Sequence, residues 1–246
     1  MSDERTTVLQ MRGVGLSRAG RVPLLHDVDL TLESGSFRFL TGATGSGKTT
    51  LLRLASLALR PQRGTIGLFG HETTRLRGGA RADLRRRIGV VFQDFRLLAH
   101  LSAFDNVALP LRIAAPAGKQ GRRDEEAIAG TVGEFFTWLG LEDAMEKKPP
   151  ALSAGERQLV AVARAVVARP SLLLADEPSA NVDGACADRL MTPFAQMQKL
   201  GSAVLLATRD QALLQRHPFP ILRLEQGRLE AGEAGAARHR AEVATG

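Results

Sequence analysis

A short glycine-rich run, Gly42 to Thr50, is the stretch of this sequence best suited to hold phosphate. It reads GATGSGKTT and matches the spacing G-x-x-x-x-G-K-[ST], with Gly42, Gly47, Lys48 and Thr49 at the fixed positions. Glycines let consecutive backbone N–H groups turn inward around a phosphate, where a Cβ would obstruct them. We expect Lys48 to reach the β- and γ-phosphates, and the hydroxyl of Thr49 to bind Mg²⁺. The pattern predicts a site for a nucleoside triphosphate.

The residues on either side of this run predict the strand and the helix that such a loop requires. Phe37 to Leu40 is a mostly apolar strand candidate, and Thr50 to Ala55 has helical composition. The loop would then open onto a helix N-terminus, whose dipole favours anions. A chance glycine-rich turn is the alternative, and this context argues against it. We expect the whole run to contact the nucleotide: Gly42, Ala43, Thr44, Gly45, Ser46, Gly47, Lys48, Thr49 and Thr50.

A second run carries the acids that phosphate chemistry needs. Leu172 to Ala175 reads as a buried strand and is followed by Asp176 and Glu177. A carboxylate at the end of a strand that faces a phosphate loop is the Walker B arrangement for Mg²⁺. We expect Asp176 to hold the metal, and Glu177 to orient or deprotonate the attacking water. The two runs together predict hydrolysis of the nucleotide.

A third run, Leu152 to Gln158, opens a predicted helix from Ala154 to Ala168. Ser153 is a good N-cap, which would explain it without any ligand. The other interpretation is a second anion site, built from Ser153 and the N–H groups around Gly155. One nucleotide cannot easily reach both this site and the phosphate loop of the same chain. A symmetric pair of subunits, each offering this helix to the other's γ-phosphate, resolves the conflict.

The remaining apolar runs predict how the chain is organised around these motifs. Strands expected at 6–12 and 25–32 precede the phosphate loop and predict a small β layer beside the nucleotide. Residues 95–151 change to helical segments, and strands and helices alternate after them. Alternation of this kind predicts an α/β fold, in which helices cover both faces of a mainly parallel sheet.

Composition limits the class of protein and of partner. A chain of 246 residues with 44% apolar content can bury one large core, and its single cysteine, Cys186, excludes an internal disulfide. No apolar run is long enough to span a membrane and the N-terminus has no signal-type run, so we expect a cytosolic chain. A net charge of +7 indicates an acidic partner surface or simply a solvated basic face. With 4% aromatics and no Tyr, nucleic-acid binding is not expected.

The order of the motifs resembles that of the ATP-binding-cassette ATPases over about residues 8 to 230. The phosphate loop is followed by Gln93, LSAGERQ (152–158), LLLADEP (172–178) and SANVD (179–183). The resemblance implies a P-loop, RecA-like core with an N-terminal antiparallel β layer and a helical subdomain. It also implies a homodimer that encloses ATP and Mg²⁺ between subunits, and an integral membrane partner. The chain would then be peripheral, on the cytoplasmic face of the inner membrane.

The resemblance adds residues to the expected site. Gln93 would bind the metal, take part in catalysis and couple the site to the membrane partner. Arg18 stands near the place where relatives stack an aromatic ring on adenine, and its planar guanidinium can stack as well. The loop that ends at Asp183 would cross the dimer. The signature residues expected to face the other subunit's nucleotide are Ser153, Gly155 and Glu156.

The resemblance also predicts a division of the chain into parts. One nucleotide-binding domain would cover 6–230, and residues 231–246, which lack apolar residues to bury, are predicted to be a disordered tail. Within the domain, 6–93 and 152–230 would form the β layer and RecA-like core. Residues 95–151 would form the helical subdomain, with its signature helix continuing to residue 168.

Arg209 departs from the family pattern, because it stands where relatives carry a switch histidine. An arginine is always protonated and only donates hydrogen bonds. At the γ-phosphate, its charge would stabilise bound ATP as much as it stabilises the transition state. Equal stabilisation of both states does not accelerate the chemical step, so we expect a slow enzyme. Two other interpretations stay open: Arg209 acts as an arginine finger, or it turns away to pair with a surface carboxylate.

Three functions fit these motifs. The runs at 90–98, 104–114 and 172–183 resemble the cell-division branch of the family, whose members act with a membrane partner to control cell-wall hydrolases. ATPases of lipoprotein release and of export share much of this pattern, so a transporter subunit is the first alternative. The second is a scaffold that dimerises on ATP with little turnover. The partner surface is expected between the helical region and Gln93, with Arg96 and Arg112 as probes.

Overall fold

The computed structural model describes residues 6–17, 23–114, 121–180, 182 and 184–231. Within these residues the chain forms two β-sheets. The smaller sheet is antiparallel and consists of β1 (Thr7–Ser17), β2 (Pro23–Glu33), β4 (Arg63–Leu68) and β5 (His71–Glu72), in the spatial order β2-β1-β4-β5. The larger sheet consists of β3 (Phe37–Thr41), β6 (Ile88–Val91), β7 (Leu172–Asp176), β8 (Ala203–Ala207), β9 (Ile221–Glu225) and β10 (Arg228–Ala231).

The larger sheet has the order β10-β9-β3-β8-β7-β6. All its neighbouring strands run parallel except the closing hairpin of β9 and β10. Every residue of β7 and β8 is buried, as expected of parallel strands that are covered on both faces. The prediction of a mainly parallel sheet in a P-loop fold is therefore confirmed.

Seven helices, counted within the described ranges, surround the sheets. They are α1 (Lys48–Ala55), α2 (Gly78–Arg86), α3 (Ala103–Ala114), α4 (Gly121–Leu139), α5 (Ala154–Val166), α6 (Gly184–Lys199) and α7 (Gln211–Arg216). Single 3₁₀ turns lie at Glu142–Ala144 and Pro149–Ala151. None of the helices in the described part of the chain is long and apolar enough to cross a membrane.

Two apolar clusters lie on opposite faces of the larger sheet, because side chains alternate along each strand. On one face Leu40 and Leu174 pack with α1 and the antiparallel sheet. On the other face Phe39, Leu173 and Leu206 pack with α3, α4, α5 and α6. The phosphate-loop strand β3 is thereby packed on both faces, which fixes the point at which the phosphate loop begins.

Three short elements were not predicted from the sequence. β5, α7 and β10 have two, six and four residues, which is too short for a periodic pattern. They depend on their surroundings: β5 and β10 pair with β4 and β9, and Asp210 caps α7 by accepting a hydrogen bond from the N–H of Leu213 at 3.0 Å. Ala231 ends β10, and the rest of the predicted tail, residues 232–246, lies outside the described part.

Candidate nucleotide site

The carboxyl ends of three neighbouring strands bring the predicted site residues together. β8 lies between β3 and β7, with Ala207 opposite Leu40 on one side and opposite Asp176 on the other. The phosphate loop, the two acids and Arg209 follow directly from these strand ends, so all of them lie along one edge of the sheet. In open α/β sheets, ligands bind at this edge.

The phosphate loop is a backbone cradle whose shape only glycine can adopt. Gly42 and Gly47 have φ angles of 151° and 109°. A Cβ built on Gly42 would lie 2.2 Å from the carbonyl oxygen of Leu224, and one on Gly47 would lie 2.9 Å from Cδ2 of Leu25. The ammonium of Lys48 folds over the loop and donates to the carbonyl oxygens of Gly42 at 2.7 Å and Ala43 at 3.2 Å. The glycines are therefore required by close backbone approach as well as by phosphate chemistry.

Two buried polar atoms in this cradle have no hydrogen-bond partner among the described residues. They are Oγ of Ser46 and Oδ1 of Asp176, and only 8% of Asp176 is exposed. A buried carboxylate oxygen without a partner is costly unless a ligand or a metal satisfies it. The donor set around it suits Mg²⁺ with phosphate, since Thr49 and Gln93 line a cavity together with Asp176. The residues present therefore fit the predicted nucleotide and metal.

Glu177 follows Asp176 and is held in a fixed position. Its backbone adopts a left-handed φ of 47°, and its N–H donates to the carbonyl oxygen of Ala207 at 2.8 Å. Its carboxylate lies 3.8 Å from Nζ of Lys48. Burial lowers the pKa of the Lys48 ammonium below its ordinary value, and the charge of Glu177 partly offsets this. Glu177 and Lys48 are therefore buried next to each other beside the phosphate loop.

Arg209 pairs with that same acid. Its Nε donates to Oε1 of Glu177 at 3.0 Å, and its backbone N–H donates to Oε2 at 3.1 Å. Its Nη1 also donates to Oγ1 of Thr44 at 2.7 Å, which joins the loop after β8 to the phosphate loop. The sequence left a surface carboxylate as one possible partner. The structure instead gives the predicted catalytic base, whose carboxylate is buried.

The signature residues form a helix cap at the start of α5. Oγ of Ser153 accepts from the N–H of Glu156 at 3.2 Å, and the Glu156 carboxylate accepts from the N–H of Ser153 at 2.7 Å. These hydrogen bonds, with Lys147 at 3.8 Å, hold the pKa of Glu156 below its ordinary value. Among the residues that line the phosphate-loop cavity, none comes from this cap. Within the described part of one chain, the two candidate anion sites are thus separate.

Two predicted contacts lie outside the described residues, namely Arg18 and Asp183. Two residues make contacts that the sequence did not predict. One is Arg209, which binds Glu177 and Thr44. The other is Arg164, which donates to the carbonyl oxygens of Phe95 and Arg96 just after Gln93. In the sequence, Arg164 is only a basic residue in the last turn of an amphipathic helix. Such residues commonly interact with the helix dipole, so the sequence gives no sign of the contact with Phe95 and Arg96.

Comparisons with known proteins agree with this geometry. The family model described as "ABC transporter" matches residues 25–180. The chain belongs to this family. The Escherichia coli K12 cell division ATP-binding protein FtsE is 39% identical over 225 residues, covering 92% of this chain and 98% of the relative. FtsE of Mycobacterium tuberculosis is 38% identical over 211 residues, with 86% and 89% covered.

Other ABC proteins are also similar. The Hyphomonas neptunium lipoprotein-releasing system ATP-binding protein LolD is 37% identical over 227 residues, covering 90% of this chain and 96% of the relative. A solved structure of the ATP-binding cassette MJ0796, a dimer in a post-hydrolysis state bound to ADP and Pi, matches with a TM-score of 0.81 at 27% identity. It covers 91% of this chain and 98% of that one. The chain is therefore an ABC ATPase that resembles FtsE, and LolD is also similar.

Proposed function

We propose that this chain is the ATP-hydrolysing subunit of an FtsE-like complex at the cytoplasmic face of the inner membrane. Its partner would be an FtsX-type integral membrane protein, and the complex would control cell-wall hydrolysis during division. The observation that carries the ATPase assignment is a buried carboxylate oxygen of Asp176 beside the phosphate loop, for which the described residues offer no hydrogen-bond partner. The identity with FtsE chains supports the choice of partner.

The chain's own residues suit binding and hydrolysis of a triphosphate. Lys48 and the loop N–H groups would bind the β- and γ-phosphates. Bound Mg²⁺, held by Thr49, Gln93 and Asp176, would neutralise charge that develops on the phosphate oxygens. Glu177 would orient the attacking water and accept its proton. The rate of hydrolysis therefore depends on whether the carboxylate of Glu177 is free to contact water.

We expect hydrolysis to be slow because Arg209 occupies both oxygens of that base. An oxygen that already accepts a hydrogen bond from Arg209 is less available to the attacking water, which must reach the same carboxylate. Arg209 also cannot accept a hydrogen bond from water, as a neutral histidine can. Catalysis then requires Arg209 to leave Glu177, and the γ-phosphate is an anion that could draw it away. The arginine-finger interpretation predicts the opposite result, namely that replacing Arg209 lowers turnover.

A second subunit would complete the site. The N–H groups and hydroxyl at the start of α5 lie away from the phosphate-loop cavity of their own chain. The dimeric solved cassette and the family pattern support a homodimer that encloses ATP.

The membrane partner would bind in the groove between the edge strand β6 and α3. Five arginines line this groove, together with apolar residues of α3 that include Ile113, which is 57% exposed. The arginines are Arg53, Arg85, Arg86, Arg96 and Arg164, of which Arg164 donates to backbone carbonyl oxygens. Such a lining suits a cytoplasmic helix with one apolar and one acidic face. Arg112 does not line the groove and instead binds Asp105 and Glu125, so Arg96 is the better probe.

Two alternatives have support of their own. The identity with LolD supports an ATPase of lipoprotein release. The pair of Arg209 and Glu177 supports an ATP-dependent scaffold with little turnover.

One experiment separates the three functions. The tagged chain is purified from detergent-solubilised membranes, its partner is identified, and phosphate release by the complex is measured. A four-span FtsX-type partner with measurable release supports the proposal, and a permease with a large periplasmic domain supports lipoprotein release or export. Absence of release from a stable, ATP-bound dimer supports the scaffold.

A charge reversal tests the proposed groove in the same preparation. Arg96→Glu should reduce recovery of the partner, while Arg75→Glu, an exposed arginine outside the groove, should not. If both variants recover the partner equally, the docking surface lies elsewhere.

A further inference from the structure

Arg164 is a guanidinium whose only described hydrogen-bond partners are backbone carbonyl oxygens. It lies in the last turn of α5, and its Nη1 and Nη2 donate to the carbonyl oxygens of Arg96 at 2.6 Å and Phe95 at 2.9 Å. Burial lowers the pKa of this guanidinium, and no carboxylate in the described part of the chain pairs with it. Withdrawing a charge from water without an ionic partner is unfavourable. The hydrogen bonds of Arg164 to these carbonyl oxygens therefore need an explanation other than charge pairing.

The segment that Arg164 holds has an unusual backbone. Phe95 and Arg96 are consecutive non-glycine residues with left-handed φ angles of 57° and 48°. Such residues persist only where their surroundings hold them. Besides the two bonds from Arg164, Arg157 of α5 lies over the Phe95 ring, with 5.5 Å between guanidinium and centroid. The two side chains that hold this segment from another element, Arg164 and Arg157, therefore both belong to the signature helix α5.

The strained segment begins two residues after Gln93. Gln93 lines the same cavity as Thr49 and Asp176, where the chain's residues fit a metal. A shift of the backbone at Phe95 would therefore move Gln93 relative to those two side chains.

We propose that Arg164 is a positioning residue. By binding the carbonyl oxygens of Phe95 and Arg96, it fixes the position of Gln93 at the metal site. The helix that opens with the Ser153 cap thus also sets the geometry of the metal-site loop of its own chain. This inference rests on the proposed metal role of Gln93.

Arg81 provides a matched control. It is an arginine of α2 that donates to the carbonyl oxygen of Leu57, another non-glycine residue with a left-handed φ, of 58°. Burial lowers its pKa as well. Arg81→Met therefore removes the same kind of clamp from a different segment, and Arg164→Lys keeps the charge but loses the two-pronged fork.

Hydrogen exchange tests the clamp without any need for turnover. In full-length protein, amides of residues 92–98 should exchange about tenfold faster in Arg164→Met, because local opening becomes easier. Arg81→Met should leave this peptide unchanged, and Arg164→Lys should fall between. Unchanged exchange of residues 92–98 in Arg164→Met, with the protein still folded by its thermal unfolding midpoint, would overturn the proposal.

The magnesium dependence of turnover tests the consequence. Arg164→Met should raise the Mg²⁺ concentration for half-maximal ATP turnover about fivefold, an effect expected of a ligand displaced by a loosened support. The ATP affinity of Arg164→Met in excess EDTA should equal that of the wild type. In a Gln93→Ala background, adding Arg164→Met should not raise the required Mg²⁺ concentration any further, because the ligand that Arg164 positions is already absent.

The outcomes separate the inference from the function on which it rests. An Arg164→Met enzyme with unaltered magnesium dependence contradicts the positioning role. If Gln93→Ala itself leaves the magnesium dependence unaltered, the metal role of Gln93 is wrong. Exchange of residues 92–98 then remains the measure of the clamp.

Discussion

The phosphate loop and the start of α5 are both helix N-termini, yet the chain leaves only one of them open to an anion. At α1, the N-cap is Gly47 and no side chain caps the first N–H groups. At α5, Ser153 and Glu156 satisfy each other in a capping box. The first site can accept phosphate at once, whereas the second is closed by its own side chains. The difference supports the proposal that one chain binds ATP by itself and that its signature contributes only across a dimer.

The largest expected effect concerns the open site. Lys48→Ala should weaken ATP binding about 100-fold or more, because it removes a charged hydrogen-bond donor from a site that must hold a highly anionic triphosphate. Isothermal calorimetry measures the affinity. Lys199→Ala, at the exposed end of α6, is the control and should bind like the wild type. Equal affinity in both variants would show that Lys48 lies outside the phosphate site.

The closed site should matter only to the dimer. In a Glu177→Gln background, in which hydrolysis is blocked, ATP with Mg²⁺ should give a stable dimer by light scattering. Adding Ser153→Ala should weaken that dimer about tenfold, the loss expected for one hydrogen bond to a charged group, while the ATP affinity of the monomer stays the same.

A matched variant separates the loss of the anion contact from the loss of a cap. Ser102 makes the same cap at α3, where its Oγ accepts from the N–H of Asp105 at 3.0 Å. Ser102→Ala should therefore lower stability without weakening the dimer. A dimer that is insensitive to Ser153→Ala, or that responds equally to both changes, would contradict the two-site comparison.

Arg209 joins the open site to Glu177, the proposed catalytic base, so its replacement should change the rate rather than the affinity. Arg209→His should raise turnover in the presence of the membrane partner by about fivefold, because Glu177 is released to accept a proton. Arg216→His is the control, since Arg216 pairs with Asp188 at 2.9 Å on the surface. Steady-state phosphate release measures both variants. A clear fall for Arg209→His would instead identify Arg209 as an arginine finger.

The smallest effect concerns the charge of the cap. Glu156→Gln keeps an acceptor for the N–H of Ser153 but removes a negative charge where the other subunit's γ-phosphate is expected. The ATP-dependent dimer should tighten by about threefold, the size expected for one exposed charge pair. Sedimentation at several salt concentrations measures it, and the gain should shrink as salt rises. A dimer weakened by this change would mean that the carboxylate itself binds the partner chain.

The phosphate loop and the Asp176–Glu177 pair could be predicted because their chemistry lies in consecutive residues. Glycine spacing and an apolar run ending in acids are local patterns, and the structure brings them to one edge of the sheet. The partner of Arg209 could not be predicted in this way, since it depends on which loop ends meet. β10 and α7 were also missed, because pairing and capping stabilise them rather than periodicity.

The sequence by itself determined the α/β class and the family, and it predicted a set of residues for binding a triphosphate, because residue type and spacing specify those properties. Only the tertiary structure decided which residues from distant segments meet: Arg209 with Glu177, and Arg164 with the carbonyl oxygens of Phe95 and Arg96. Each of these contacts is a choice among several partners of similar chemistry. Packing of distant segments makes that choice, since it determines which groups lose their water and must find each other.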